Sequence, residues 1–397
     1  MLKEKTVVQR RVLIGCFLCM FLVQGSLQTF SIFIPQISRE TGWSVASVAF
    51  VTTPVCISAF FFNTLITKML ERISPKTMLI IGCAFLIIHL FLYSFCTSIY
   101  ALWAVGILAG ISIAWGTSAP CTIIITNWFE KNRSQYVAAA AAGSMFGSVL
   151  LNPIAALVID RVGWRKAYVF ESLVFGGLAM LVVVLLVRSS PAGETAAKRE
   201  SAGANIPAVR KDRKYWLIAA GIFLIGLSTN TENYLPAFWQ SRGLSNTTSS
   251  LISSCYALFA AVGAIFMSKI NDSLGGKKYV LITSFLFVVP VLIMAYTGVV
   301  SVLPALIACC IPLSLGCKKA SILTPPLIVN EAFGREKYAG AIGFFAAMLQ
   351  LGIAASTPVI GFLLDYGYEA AFTAMAALNI FAMILIMLVP MEEKTNE

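Results

Sequence analysis

Charged residues are scarce in this chain. Asp, Glu, Lys and Arg make up 12% of its 397 residues, about half the share carried by a soluble domain, which excludes an ordinary water-soluble fold. The sequence contains one histidine, His89, so no pair of imidazoles exists for a metal centre, and a histidine-based enzyme is not expected. Neither a Gly-x-Ser-x-Gly elbow nor a Walker A loop occurs. A serine hydrolase and a nucleotide-driven pump are therefore not expected, and energy for any transport must come from a solute or ion gradient. No cofactor or metal site is expected.

Apolar residues are abundant instead. They make up 58% of the chain, and the mean hydropathy is +0.85. This is the composition of a polytopic membrane protein built from spans of about 20 residues. The ten cysteines lie mostly inside apolar runs, among them Cys16, Cys19, Cys56, Cys83, Cys309 and Cys310. They read as small core residues. The run from Val12 to Ile34 exceeds a signal-peptide core and no Ala-x-Ala site follows it, so it is expected to remain as a first span.

Twelve spans are expected. The first six cover residues 12–34, 46–67, 77–96, 100–125, 136–159 and 167–188. The second six cover 215–238, 249–268, 279–298, 302–329, 338–363 and 370–390. The net charge of +11 does not indicate a nucleic-acid partner, because the basic residues sit in the short segments between spans. With the amino terminus cytoplasmic, that side holds 22 Lys and Arg and the other side 5. The positive-inside rule then puts both termini in the cytoplasm. The polar segment 189–214 is rich in Ala, Gly and Ser and reads as a flexible linker. It separates an expected amino-terminal bundle, residues 1–188, from a carboxy-terminal bundle, residues 215–397.

The halves repeat. Glu71 and Lys76 recur as Asp272 and Lys277 at an offset of 201, and Pro153 and Asp160 recur as Pro358 and Asp365 at an offset of 205. Two homologous six-span halves imply a pseudo-twofold axis along the membrane normal.

Twelve spans, a 6+6 repeat, a central linker and an acidic-then-basic loop after spans two and eight resemble the major facilitator superfamily. The loops are Thr67–Lys76, a degenerate copy that keeps Arg72, and Ser268–Lys277, which keeps Asp272, Gly275 and Lys277. The resemblance implies an all-α membrane fold of two six-helix bundles. It also implies that Glu71, Arg72, Asp272 and Lys277 act in gating, and that spans one, four, seven and ten line a central cavity. Phe30–Pro35, Gly42-Trp43-Ser44, Asn127-Trp128-Phe129 with Arg133, and Gly163-Trp164-Arg165 with Tyr168 resemble the monocarboxylate and oxalate/formate branch. That branch places a substrate-binding basic residue on span eight or eleven. Here no basic residue lies inside those runs, and the basic centre sits on span ten.

Lys318 and Lys319 interrupt the apolar run 302–329. A cation at bilayer depth costs a few kcal/mol, roughly 2.5–3.5 on insertion scales, and usually faces a protein interior or a wet cavity. Ser314, Lys318, Ser321 and Pro325 share a polar helical stripe, whereas Lys319 shares a face with apolar residues. Lys318 is therefore the stronger cavity candidate, and snorkelling of both lysines to the cytoplasm is the competing reading. On the other lining spans the candidates are Gln24, Gln28 and Ser31; Trp115, Thr117 and Ser118; and Asn230, Glu232, Asn233 and Tyr234. Asn152 and Gln350 are secondary candidates. Interhelical hydrogen bonding is the competing reading for the amides and hydroxyls. Glu232 could pair with a lysine, carry a proton or bind a substrate cation. His89 reads as a packed scaffold residue, and Glu171 is expected to answer Arg165 or Arg161.

A cavity with lysines and at most one carboxylate favours anionic solutes. The expected function is secondary transport of a small organic anion, in first place a carboxylate, by alternating access in a bacterial inner membrane. Protons or a counter-transported anion are the expected coupling partners, and a monomer is expected. The alternatives are a multidrug or amphiphile exporter and, from another class, a transporter-like sensor.

Overall fold

The computed structural model describes residues 2–70, 72–129, 133–188, 213–274, 276–297 and 310–389. The expected linker 189–214 lies almost wholly outside the described residues. Every regular element among the described residues is helical. Nine helices or helix pairs there are long and apolar enough to cross a membrane. The chain divides into two compact units, Met1–Ser201 with Ser245–Ala257, and Ala202–Leu244 with Leu258–Glu397.

In the first unit, α1 (Leu2–Thr41) is followed by the short helices α2 (Val45–Ala49), α3 (Thr52–Thr64) and α4 (Ile66–Leu70), then α5 (Pro75–Tyr93) and α6 (Ile99–Gly116). After them come α7 (Ser118–Trp128), α8 (Arg133–Val162), α9 (Trp164–Glu171), a π-helical turn (Ser172–Gly176) and α10 (Gly177–Leu186). The serines Ser44, Ser74 and Ser98 start α2, α5 and α6, each accepting a hydrogen bond from the backbone N–H three residues on. Expected spans two and four are not single helices. The second is divided near Phe50 and Leu65, and the fourth breaks at Thr117, whose backbone (φ −129°, ψ −129°) leaves the helical region.

Glycines set the close packing of this unit. Gly25 of α1 meets Gly147 of α8, and a Cβ at Gly147 would collide with the Phe21 carbonyl oxygen. Gly82 of α5 lies against Gly116 of α6. Small residues let helix backbones approach where lipid supplies no hydrophobic drive between helices. Ser58 of α3 adds a hydrogen bond to the Ile107 carbonyl of α6 at 2.7 Å.

The second unit contains α11 (Arg213–Thr229), a 3₁₀ turn (Asn230–Tyr234), α12 (Leu235–Ser241), α14 (Gly276–Thr297), α15 (Ile311–Leu364) and α16 (Tyr368–Met387). The helix α13 (Asn246–Leu274) begins in the first unit and continues in the second. Packing in the second unit follows the same scheme. Gly226 of α11 lies beside Gly352 of α15, and Gly316 of α15 lies against the backbone of Thr283 and Phe287 in α14. Tyr215, Ile218, Ile222, Phe345 and Ile386 fill its apolar core.

One expectation is corrected here. The segment 330–337, read as a loop between spans ten and eleven, is helical, and α15 runs for 54 residues without a break. Glu331, Ala332, Glu336 and Lys337 are good helix formers and no proline interrupts them.

Candidate functional site

The polar residues of α1 divide by face. Gln24 and Gln28 are half-buried, and the Gln28 Oε1 accepts from Ser148 Oγ of α8 at 2.7 Å. Thr29, the next residue, is buried on another side of the helix. Its Oγ1 donates to Glu171 Oε2 of α9 at 3.1 Å. This corrects the expected partner of Glu171. Arg165 instead donates to the carbonyls of Ser94 and Cys96, both at 2.9 Å, and lies 3.8 Å from Glu40. Helical geometry explains the difference: Arg165 sits in the first turn of α9, and Glu171 lies nearly two turns deeper.

Trp115 lies just before the break at Thr117. It packs with Ile66, Met78 and Ile111, and its indole donates to the Phe62 carbonyl at 3.2 Å. Thr117 turns back to the Ile113 carbonyl, while Ser118 is exposed. Asn152 is buried in α8, and Gln350 is exposed.

The densest polar cluster of the sequence, Asn230–Tyr234, forms the 3₁₀ turn that interrupts expected span seven. Pro236 at the start of α12 lacks the N–H that would bond four residues back, which favours an interruption at this point. Asn230 donates to the Ile353 carbonyl at 2.9 Å and to Thr357 Oγ1 at 3.2 Å. Tyr234 donates to the Thr357 carbonyl at 2.9 Å. Both side chains thus bind α15, while Glu232 and Asn233 between them are half-buried. Ser314 is buried and bonds to the Ile311 carbonyl. Lys318, Lys319 and Ser321 lie on α15 with side chains outside the described residues.

Of the gating candidates, Glu71 lies outside the described residues, as does the side chain of Asp272, and Arg72 is exposed. Lys277 Nζ donates to the Met387 carbonyl at 3.0 Å, and its repeat partner Lys76 donates to the Val184 carbonyl at 2.9 Å. Asp160, at the end of α8, accepts from Asn246 Nδ2 at 2.7 Å and from Thr247 Oγ1 at 2.8 Å, all within the first unit.

Sequence reasoning missed two buried contacts, Thr29–Glu171 and Asn379–Ser228. The Asn379 amide of α16 donates to Ser228 Oγ of α11 at 3.0 Å. Polar residues inside apolar runs were the available signal, but attention to spans one, four, seven and ten passed over their partners on spans six and twelve. His89 is buried, with Nδ1 donating to the Phe85 carbonyl and the ring edge-on to Tyr93, a packed position. Cys16 and Cys19 have Cys-x-x-Cys spacing, yet both are buried free thiols. Among the described residues no cluster of three metal-ligating side chains occurs.

The description "Major Facilitator Superfamily" matches residues 16–245 and 230–397. Monocarboxylate transporter 4 of Rattus norvegicus is 23% identical over 373 residues, covering 89% of this chain and 76% of that protein. A nucleoside transporter NupG structure superposes with a TM-score of 0.77 at 15% identity, covering 96% of this chain and 99% of that one. A D-xylose–proton symporter gives 0.74 at 15% identity, covering 97% and 99%. The latter two show the fold. The apolar helices, the glycine-packed units and the family match lead to one conclusion: this chain belongs to the major facilitator superfamily, has its all-α fold, and is a multi-pass membrane transporter rather than an enzyme.

Proposed function

We propose that the chain carries a small organic anion, in first place a carboxylate, across a bacterial cytoplasmic membrane by alternating access. The observation that carries this reading is the similarity to a monocarboxylate transporter along 89% of the chain. Lys318 supports it from the sequence, because a substrate carboxylate would offset the desolvation of a lysine in the apolar run of span ten. Lys319 and Glu232 are adjuncts, and Gln24, Gln28, Trp115, Asn233 and Ser321 supply further polar or aromatic contacts. Asn230 and Tyr234 hold the 3₁₀ turn in place against α15, so that Glu232 and Asn233 are presented between two fixed points.

Residues 1–188 and 215–397 act as the two moving bundles and 189–214 as their cytoplasmic linker. Both termini are cytoplasmic, the working form is a monomer, and Glu71, Arg72, Asp272 and Lys277 govern the change of access.

The test is uptake of labelled mono- and dicarboxylates into proteoliposomes by wild type, Lys318→Ala and Lys318→Gln. Accumulation by wild type that both folded variants lose supports the reading. Unimpaired variants would remove Lys318 from it, and export of lipophilic cations without carboxylate uptake would replace it with the exporter reading.

A further inference from the structure

Glu171 is an acidic side chain whose position no solute-binding role explains. It is fully buried in the span Trp164–Leu186. One carboxyl oxygen lies 3.1 Å from Thr29 Oγ1, whose single proton is also claimed by the Ser26 carbonyl at 2.7 Å, and the other carboxyl oxygen is buried with no hydrogen-bond partner. Among the described residues no cation pairs with it. The groups around it are neutral or weakly acidic. Thr29 of α1 and Tyr168 of its own helix are its neighbours, and beyond Tyr168 lie Tyr93 and Cys96, from α5 and the turn after it, with His89 edge-on to Tyr93. Arg165 is held by two carbonyls and Glu40. A carboxylate offers about four lone-pair sites, and burying it unpaired costs several kcal/mol. Nothing described here supplies a counter-charge, so a proton is the ligand that this site fits.

Two further features fit a group that changes state. The helix opens into a π-turn immediately after Glu171, where Ser172 bonds to the Ile87 carbonyl of α5. Such turns are rare and occur frequently at functional sites. Thr29 also adjoins Gln28, so consecutive residues of α1 touch Glu171 on one side and Ser148 on the other. A charge appearing at Glu171 would act directly on the helix that carries the solute candidates.

We propose that Glu171 is a proton-binding site, loaded in the state described here, whose deprotonation and reprotonation couple solute movement to a proton gradient. The inference rests on the carrier reading above for its link to solute.

The experiment has two arms. In the first, infrared difference spectra of purified protein between acid and alkaline pH are recorded for wild type, Glu171→Gln and Glu171→Asp. A protonated-carboxyl band that titrates in wild type, moves in Glu171→Asp and is missing in Glu171→Gln is expected. Absence of a band assignable to Glu171 in wild type overturns the proposal, whatever the solute proves to be. The second arm uses proteoliposomes with an internal pH dye. Glu171→Gln, which mimics the protonated acid, is expected to retain solute exchange at equal concentrations. It should lose at least ten-fold in proton-driven accumulation together with the accompanying pH change. Proton-coupled accumulation equal to wild type overturns coupling through Glu171. Failure of every carboxylate to move in wild type overturns the solute reading instead and leaves the spectroscopic arm to decide the proton site. Should Glu171→Gln not fold, Thr29→Val shifts the midpoint of the titrating band if the site is real, and leaving it unmoved counts against the proposal.

Discussion

In the first unit, α1 is joined to α9 by a hydroxyl and a carboxyl, Thr29 and Glu171; in the second, α11 is joined to α16 by a hydroxyl and an amide, Ser228 and Asn379. By the sequence repeat these are equivalent pairs of helices. Around them the scaffold is the same. Gly25 and Gly147 recur as Gly226 and Gly352, and Lys76 bonds to the last turn of α10 as Lys277 does to that of α16. Gly163 and Gly367, with φ of +79° and +101°, make the left-handed turns before α9 and α16. The packing elements repeat and the buried polar groups do not. Function in this transporter is therefore to be sought where the units differ, with an acid in one and a fixed amide with a 3₁₀ turn in the other.

The repeated packing is the hardest part to alter. Gly147→Leu and Gly352→Leu each push a side chain into a neighbouring backbone carbonyl, of Phe21 and Phe223 respectively. Neither helix pair can separate without losing its whole interface, so each variant is expected to fail to yield monodisperse protein in detergent. The alanine versions carry the same Cβ contact without the rest of the side chain, so they should cost about 3 kcal/mol or more, beyond the usual range for overpacking, read as a lowered midpoint of thermal unfolding. If Gly147→Ala is harmless and Gly352→Ala is not, the two units are not packed alike.

Exchanging the polar groups sharpens the contrast. Asn379→Asp installs an unpaired acid in the second unit, because its contact is the neutral Ser228 hydroxyl. The neutral acid is tolerated and the ionised one is not, so stability should match wild type at acid pH and fall as the pH rises, by on the order of 3 kcal/mol. Thermal midpoints across a pH series read this directly, and a flat profile would mean that the second unit can hold a charge. Tyr234→Phe should cost about 1 kcal/mol, the net worth of its hydrogen bond to the Thr357 carbonyl. Asn230→Ala should cost about 1–3 kcal/mol, since it leaves the Ile353 carbonyl without that donor.

The fold was legible in the sequence because membrane burial is written in composition and length. Runs such as 77–96 and 370–390 have the hydropathy of a span, and the offsets of 201 and 205 mark the repeat. The same offsets reappear in the structure as the glycine contacts Gly25–Gly147 and Gly226–Gly352. The internal breaks were less legible. The polar run Asn230–Tyr234 with Pro236 marks a weak point in span seven, but the bonds that fix the turn come from the distant residues Ile353 and Thr357, and the break at Thr117 lies in an otherwise apolar run. Glu171 was misassigned for a related reason. A carboxyl near two arginines in sequence suggests an ion pair, but helical rotation and depth carried it to Thr29, 142 residues away.

The smallest expected effect concerns the paired lysines. Lys76 and Lys277 each place an ammonium on a carbonyl in the last turn of the final helix of their unit, Val184 and Met387. Those carbonyls lack intrahelical partners, and a cation there also complements the helix dipole. Lys76→Met and Lys277→Met should therefore each lower stability by about 0.3–1 kcal/mol, with the loss at Lys277 the larger because its bond is half-buried and that of Lys76 is exposed. High salt should shrink the Lys76 effect more than the Lys277 effect, since screening acts on exposed charges first. The resemblance to the superfamily loop signature gives Lys277 a second role, in gating. Transport rates of the two variants separate the roles: a loss of rate confined to Lys277→Met and out of proportion to its small loss of stability would make Lys277 a gating residue, and equal rates would leave both lysines as helix caps.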